Sequence, residues 1–477
     1  MDFAKIFRDG AKVHCVGVKG VGVSAFAEIL RAAGVSVTGS DTGDVFYTDA
    51  ILKEIGVPYF ETFDAKHIKP DVDAVVYSAA YSLDANPELL EAKRLGLPIL
   101  KYTDALGEYS KLFDSSSIAG VHGKTTTTAM VGVLLRGAGM PAQILAGSAV
   151  SEFGGRSTLS LADKPVYFVA ETCEYRKHFL SFHPNRVVLT SVESDHQDFF
   201  PTYADIRDAF VEYVERLSEE GELIYCADDD GASEVVELAR KREIKARLTP
   251  YGFSAKGAFH IKEHEVRNER QVFTLEKFIE PFTLRIAGKH SVLDATAALA
   301  LVSSITSTAG GWSKERLVGA RAALENFCGS KRRSEIIGEA GGVLFMDDYG
   351  HHPTAIKTTL EGLKTFYPRR RLVVSFMSHT YSRTAALLGQ FAESFASADV
   401  VILHKIYASA RERYTGGITG KTLFERVKVL HSAVYYVEEP LDAVSLLEEI
   451  LRPGDLFLTL GAGDNWKLSE PVRLRLF

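Results

Sequence analysis

Gly120-Val121-His122-Gly123-Lys124-Thr125-Thr126 is the stretch on which the reading of this chain turns. It follows a polar-to-apolar ramp over residues 114–119 and precedes a helix-like apolar run over 130–135. A glycine-rich turn, then Lys-Thr, then a helix is the layout of a phosphate cradle. Backbone N–H groups and the positive end of the helix favour an anion there. Lys124 can reach the outer phosphates of a nucleoside triphosphate, and the Thr125 hydroxyl can ligate Mg²⁺. The general motif is G-x-x-x-x-G-K-[ST]; here Ile118 stands where its first glycine would be, so the loop is shorter. The bland alternative is a glycine turn before a surface helix with a solvated lysine. The threonine run over 125–128 weighs against it, because Thr is a poor helix former.

Upstream, a strand over 13–17 leads into Gly17-Val18-Lys19-Gly20-Val21-Gly22 and a helix over 24–33. A second strand over 35–38 ends at Ser40-Asp41, giving a βαβ opening with an acid after the second strand. The glycine spacing is G-x-x-G-x-G rather than G-x-G-x-x-G, which disfavours a nicotinamide dinucleotide. A nucleotide diphosphate could rest on that helix N-terminus, with Asp41 near a ribose or base. A tight turn that only packs strand on helix is the structural alternative. A strand over 74–77 ends in Ser78-Ala79-Ala80, small residues that a ligand could approach.

Downstream of the cradle, near-continuous apolar runs over 166–170 and 186–190 read as parallel strands buried on both faces. Glu171 follows the first, and Glu193, Asp195 and His196 follow the second, on the strand ends where open α/β sheets bind ligands. Thr125, Glu171 and His196 are thus expected to share a Mg²⁺ or Mn²⁺ ion. Residues 258–286 read as short antiparallel strands, and 292–302 as an Ala-rich helix. From about residue 330, strands over 343–346, 372–376, 400–403 and 456–460 alternate with helices over 353–366, 384–397 and 441–451. Their ends carry Asp347-Asp348-Tyr349-Gly350-His351-His352-Pro353 and His379-Thr380-Tyr381-Ser382-Arg383. Arg383 suits a bidentate grip on a carboxylate, and the basic run Lys331-Arg332-Arg333 is either solvated or clamps a phosphate.

Composition bounds these readings. A chain of 477 residues needs several cores, and its apolar content of 46% with 25% charged residues is that of a soluble globular protein. A net charge of −7 gives no reason to expect nucleic acid. Four dispersed cysteines argue against a disulfide framework or zinc cluster and suit a reducing compartment. No signal peptide or run long enough to span a bilayer is visible, so a cytoplasmic location without membrane insertion is expected.

Together these motifs resemble the Mur ligase family over essentially the whole chain, most closely its alanine-adding branch. Gly120-Val-His-Gly-Lys-Thr-Thr is similar to the family's ATP loop, which accounts for its shortness. The resemblance implies a three-domain α/β fold: a Rossmann-like UDP-binding domain (1–113), a central P-loop ATPase-type domain with a mixed sheet (114–329) and a C-terminal Rossmann-like domain with a parallel sheet (330–477). It implies ATP-dependent amide formation between UDP-N-acetylmuramate and L-alanine through an acyl phosphate, as a monomer or homodimer. Gly17, Gly20, Gly22, Ser40, Asp41 and Ser78 would hold the UDP-sugar, and Gly120, Val121, His122, Gly123, Lys124, Thr125 and Thr126 the ATP phosphates. Lys124, with Arg332 or Arg333, would stabilise the transferring phosphoryl group. His351 would orient or deprotonate the amine, and Tyr349 with Arg383 would grip the amino acid. The family's adenine-contacting His-Asn-x-x-Asn is His290-Ser291-Val292-Leu293-Asp294 here. His290 and Asp294 are carried over as nucleotide contacts, but Asp offers only acceptors where Asn offers both, leaving ATP over GTP open. The first Arg of the family's His-Arg-Tyr-Thr-Arg-Thr is also absent. Ligation of a preformed peptide, folate-type glutamate ligation, an NTP-binding regulator and an NAD-dependent dehydrogenase are the alternatives. The dehydrogenase fails on glycine spacing.

Overall fold

The apolar runs become buried parallel strands, and the glycine-rich and acidic stretches between them become the loops at their ends. The computed structural model describes residues 3–408, 412 and 416–476. The fold is α/β with an N-terminal parallel sheet, a mixed central sheet and a mixed C-terminal sheet. The chain divides into two compact units. The first is Met1–Val192, Arg207–Ala255 and Ala297–Ala323; the second is Glu193–Ile206, Lys256–Thr296 and Leu324–Phe477.

In the first unit the N-terminal sheet runs Tyr59–Phe60, Ser36–Ser40, Lys12–Val16, Ala74–Tyr77, Ile99–Lys101, all parallel. Helix Val21–Ala32 buries Val23, Phe26, Ala27 and Leu30. Phe26 meets Phe7 and Tyr109 edge-on at 5.8 and 5.7 Å, and Tyr109 meets Phe168 of the central sheet at 5.4 Å. One apolar core therefore joins the two sheets within this unit. Each buried aromatic there contributes roughly 1.5–3 kcal/mol relative to exposure.

The central sheet of the first unit runs Arg247–Gly252, Glu222–Cys226, Arg186–Leu189, Asp114–Ala119, Tyr167–Glu171, Ala142–Val150, Arg156–Ser160, and only the last pairs antiparallel. Asp114–Ala119, the expected ramp, is a buried interior strand paired with Arg186–Leu189 and Tyr167–Glu171. Serine is a weak strand former, and these serines are tolerated inside because some hydroxyls find partners. Ser115 donates to the His183 carbonyl at 2.7 Å, and Ser117 accepts from the Tyr213 hydroxyl at 2.8 Å.

In the second unit, Phe259–Val266, Gln271–Leu275 and Phe282–Leu284 form the expected antiparallel set. The C-terminal sheet runs Glu335–Ala340, Val343–Asp348, Asp455–Gly461, Arg371–Met377, Val400–Leu403, Val434–Tyr436. Its strands are parallel except Glu335–Ala340, an antiparallel edge that the alternation over 343–460 did not reveal. The helix expected over 384–397 is two, Tyr381–Ala386 and Leu388–Glu393, because Leu387 leaves helical dihedrals (φ −113°, ψ 20°). Helix Gly420–Leu430 was missed, although Thr419 and Thr422 form a capping box at its start. Among the described residues, no helix is long and apolar enough to cross a membrane.

Candidate active site

Each unit presents a cluster of chemically active side chains at the carboxyl ends of its strands. In the first unit, strand Asp114–Ala119 turns at Gly120 and Gly123 into helix Lys124–Gly137. Gly120 has φ 136°, and a Cβ there would lie 2.1 Å from the Thr190 Oγ. Gly123 is left-handed at φ 77° and caps the helix without a side chain. These two positions need glycine, so the shortness of the loop is a built feature. Val121 N–H donates to the Ser191 carbonyl and His122 N–H to the Ser191 Oγ. The first-turn amides from Lys124 onward are therefore the ones available to a phosphate.

Lys124 is the cation of this cradle. Its Nζ donates to the Gly120 carbonyl at 2.5 Å and to the Glu174 Oε2 at 2.9 Å. Burial disfavours the ammonium, but Glu174, Cys173 and Glu171 outweigh it and hold the Lys124 pKa above its ordinary value. Glu171 is the last residue of its strand rather than the first beyond it, and its Oε2 accepts the Gly147 N–H at 2.7 Å. Glu174 is buried and pairs with Lys124 directly. Sequence alone assigns it no role. Its setting, just before Arg176 and Lys177 at left-handed φ (53° and 57°), is visible only in the fold. Thr125 is buried in the first helical turn.

The N-terminal glycine loop lies in the same unit. Gly17, at φ 82°, sits where a Cβ would fall 2.6 Å from the Tyr81 ring, and a Cβ on Gly22 would fall 2.8 Å from the Tyr102 ring. The Gly17 N–H donates to the Ser40 carbonyl at 2.8 Å. Gly20 caps helix Val21–Ala32 with no side-chain bond at its N-terminus. Asp41 is buried; its Oδ2 accepts the Lys19 N–H at 2.7 Å and its Oδ1 the Tyr81 hydroxyl at 2.8 Å. It thus fixes the glycine loop and the loop after strand Ala74–Tyr77, beside which Ser78 Oγ accepts the Ala80 N–H at 3.3 Å.

The second unit gathers the remaining groups. Arg383 and Asp195 form a buried pair: Nη2 and Nε reach Oδ1 at 2.6 and 3.1 Å. Although burial opposes the charge, Arg383 and then His196 hold the Asp195 carboxyl far below the usual range. The carboxylate that Arg383 holds here is therefore a side chain of its own unit. His196 sits at φ 54° with its N–H on the Asp195 Oδ1 at 2.7 Å. Arg383 Nη1 donates to His379 Nδ1 at 3.0 Å, and the His379 ring meets His351 edge-on at 5.4 Å. His351 also meets Tyr349 edge-on at 5.1 Å. Burial and the nearby Arg383 push the His351 pKa well below its ordinary value, so the ring is held neutral at pH 7. His196, Gln197, Asp198, His379, Thr380, Arg383 and Glu412 line a small pocket of about 50 Å³ beside this chain of rings.

Arg332 and Arg333 lie 5.1 and 5.3 Å from the Tyr349 ring centroid. Arg332, at φ 59°, is bonded to Asp347 at 2.8 Å and the Gly461 carbonyl at 2.7 Å, so it holds the strand ends together. Asp348 accepts Ser334 N–H and Gly350 N–H, each at 2.7 Å, and shapes the loop that carries Tyr349 and His351. His290 and Asp294 lie near the start of helix Lys289–Ser307. Between them Ser291 is committed to structure. Its Oγ donates to the Gly288 carbonyl at 2.7 Å and accepts Gln271 Nε2 at 2.8 Å.

The expected residues therefore fall into two groups. Gly17, Gly20, Gly22, Ser40, Asp41, Ser78, the 120–126 loop and Glu171 lie in the first unit; His196, His290, Asp294, Arg332, Arg333, Tyr349, His351 and Arg383 lie in the second.

Comparison with known proteins bears on this layout. Residues 12–114, 118–302 and 332–463 match the models described as Mur ligase family, catalytic domain; Mur ligase middle domain; and Mur ligase, glutamate ligase domain. The UDP-N-acetylmuramate–L-alanine ligase of Treponema pallidum (strain Nichols) is 52% identical over 97% of this chain and 96% of its own length. That of Borreliella burgdorferi is 37% identical over 97% and 99%. Among solved structures, the UDP-N-acetylmuramate–alanine ligase of Thermotoga maritima superposes with a TM-score of 0.74 at 26% identity, covering 97% and 98%. A murein peptide ligase from Psychrobacter arcticus shares the fold, with a TM-score of 0.65 at 22% identity over 98% and 99%. The chain belongs to the Mur ligase family.

Proposed function

We propose that this protein ligates L-alanine to the carboxylate of UDP-N-acetylmuramate, using ATP and releasing ADP and phosphate, as a cytoplasmic step of peptidoglycan precursor synthesis. The observation that carries the reading is the 52% identity, over 97% of the chain, to a protein of that name. The three family models support domains at 1–113, 114–329 and 330–477.

The chemistry follows from what each group can do. A carboxylate resists attack by an amine because oxide is a poor leaving group. The γ-phosphoryl group of ATP is transferred to a carboxylate oxygen, giving an acyl phosphate and ADP. The amine of alanine then attacks the acyl carbon, and inorganic phosphate departs with its electron pair. Lys124 leaves Glu174 for the nucleotide and stabilises charge on the transferring group, while the first-turn amides and the two loop glycines hold the phosphates. Of the expected metal ligands, Thr125 and Glu171 lie on one unit and offer hard oxygen donors, which would hold Mg²⁺ in preference to softer metals. When bound, Mg²⁺ neutralises phosphate charge. His351, kept unprotonated by burial and Arg383, orients the alanine amine as a hydrogen-bond acceptor. Arg383, presented by Asp195 and His379, faces the amino-acid carboxylate.

The test is ADP release with UDP-N-acetylmuramate, offering L-alanine, glycine, L-serine and a preformed tripeptide in turn. Turnover with alanine and not with the tripeptide is expected. Turnover with the tripeptide alone would move the chain to the murein peptide branch.

A further inference from the structure

Glu88 opens helix Pro87–Arg94, where Asn86 accepts its N–H at 2.9 Å and so fixes its backbone. Its side chain is fully buried against the two inner strands Lys12–Val16 and Ser36–Ser40 of the N-terminal sheet, and no step of the reaction uses it. One carboxylate oxygen accepts the Ser40 hydroxyl and lies 3.4 Å from His14 Nε2. The other meets His67 Nδ1 at 2.6 Å and accepts the Asp64 N–H at 3.4 Å. Burial works against this anion, yet His14, Ser40 and His67 outweigh it and hold the Glu88 pKa below its ordinary value.

Two separate arms lead from this carboxylate to one residue. Through Ser40 the first reaches Asp41 as its direct chain neighbour. Through His67 the second reaches Phe60, on which the imidazole stacks at 3.7 Å and 2°, and the Phe60 carbonyl accepts the Asp41 N–H at 2.9 Å. Asp41 in turn bonds the Lys19 N–H of the glycine loop and the hydroxyl of Tyr81, whose ring closes over Gly17. His14, held to Thr38 at 2.8 Å, ties the same carboxylate to the strand that feeds the glycine loop. A buried charge with this many donors is costly to keep unless each donor is placed. The arrangement fixes Asp41 from both sides.

We infer that Glu88 is a positioning residue for the UDP-sugar site: it acts through Ser40 and His67 to set Asp41 and, with it, the glycine loop. This rests on the reading of the first domain as the UDP-sugar site.

The experiment is steady-state ADP release by the full-length enzyme, varying UDP-N-acetylmuramate, ATP and alanine separately. The variants are Glu88→Gln, Glu88→Ala and His67→Phe. The last keeps an aromatic ring on Phe60 and removes only the bond to Glu88. Losing a charge-assisted buried bond predicts a rise of about tenfold in KM for UDP-N-acetylmuramate in Glu88→Ala, with a smaller rise in Glu88→Gln and His67→Phe. KM for ATP and alanine should stay within about twofold, and circular dichroism should report an intact fold. An unchanged KM for UDP-N-acetylmuramate in folded Glu88→Gln and His67→Phe overturns the inference. So does a loss of kcat or thermal stability with no selective change in that KM, which would make Glu88 a structural prop. If Glu88→Ala does not fold, the two gentler variants decide. A wild-type enzyme that does not saturate with UDP-N-acetylmuramate would instead overturn the underlying reading.

Discussion

Neutralising Asp195 should destabilise the second unit by about 3 kcal/mol, and the size follows from the burial of its pair. Asp195 and Arg383 are 7% and 6% exposed, with nitrogen–oxygen distances of 2.6 and 3.1 Å. Water screens little of such a pair, and removing one partner strands the other charge, at a cost of roughly 3–5 kcal/mol. Asp195→Asn keeps an acceptor for Arg383 and the same volume, which argues for the lower end. Arg383→Met strands the carboxylate, but Asp195 can then take up a proton, which limits the loss. For a unit of this size, ~3 kcal/mol corresponds to a fall in Tm of roughly 6–12 °C. The double variant should cost clearly less than the sum of the singles, with a coupling of about 2 kcal/mol. The assay is urea and thermal unfolding of the four proteins, with KM for alanine measured alongside. Because Asp195 also orients Arg383, that KM should rise in Asp195→Asn while KM for ATP does not. Single variants costing under about 1 kcal/mol, or additivity within about 0.5 kcal/mol, would refute the reasoning.

Three further outcomes are expected. Lys124→Ala should lower kcat for ADP release by at least about 10²-fold, the scale of one lost transition-state donor, and wild-type turnover in that variant would refute the role given to Lys124. Gly120→Ala places a Cβ 2.1 Å from the Thr190 Oγ1 at φ 136°, so ATP binding by calorimetry should be abolished or the protein destabilised, whereas Gly389→Ala, with open space around it and no positive φ, should bind normally. For pH, the folded His351 pKa lies below the ordinary 6.5, so the unfolded chain binds the proton more readily and stability falls as pH drops through 6.5. His404, whose pKa burial lowers to about 4, acts in the same direction, and Asp195 adds to it below about pH 4. His351→Gln should remove up to ~1.4 kcal/mol per pH unit of that slope between pH 6.5 and 5.5 in denaturant titrations. An unchanged slope would mean that the fold does not depress the His351 pKa.

The parts of this molecule that declared themselves in sequence are those in which one short segment does the whole job. The 120–126 loop makes its turn from its own glycines and its helix from the residues that follow, so spacing alone exposes it. Strands such as Arg186–Leu189 are buried on both faces and read as apolar runs. Asp114–Ala119 was obscure because its serines are satisfied by His183 and Tyr213, which are distant in sequence. Strand Glu335–Ala340 was missed because it is an edge with mixed exposure and carries no run of either kind.

The same distinction explains which site residues were given the right surroundings. Gly120 and Gly123 are constrained by backbone geometry, which a motif records. Glu174, Asp195 and Glu88 are acids whose meaning lies in what meets them: Lys124, Arg383, and the His14–Ser40–His67 set. A buried acid and a solvated one look alike in a sequence, because the cost of burial and its compensation are both long-range. Ser291 makes the converse point. Viewed as a missing amide, it raised a question about base recognition. In the fold its hydroxyl bonds Gly288 and Gln271 and secures the start of helix Lys289–Ser307. The amide lost at this position is thus matched by a hydroxyl that fixes the segment carrying His290 and Asp294. Ser291 is therefore committed to holding that segment, its hydroxyl engaged by the Gly288 carbonyl and the Gln271 amide.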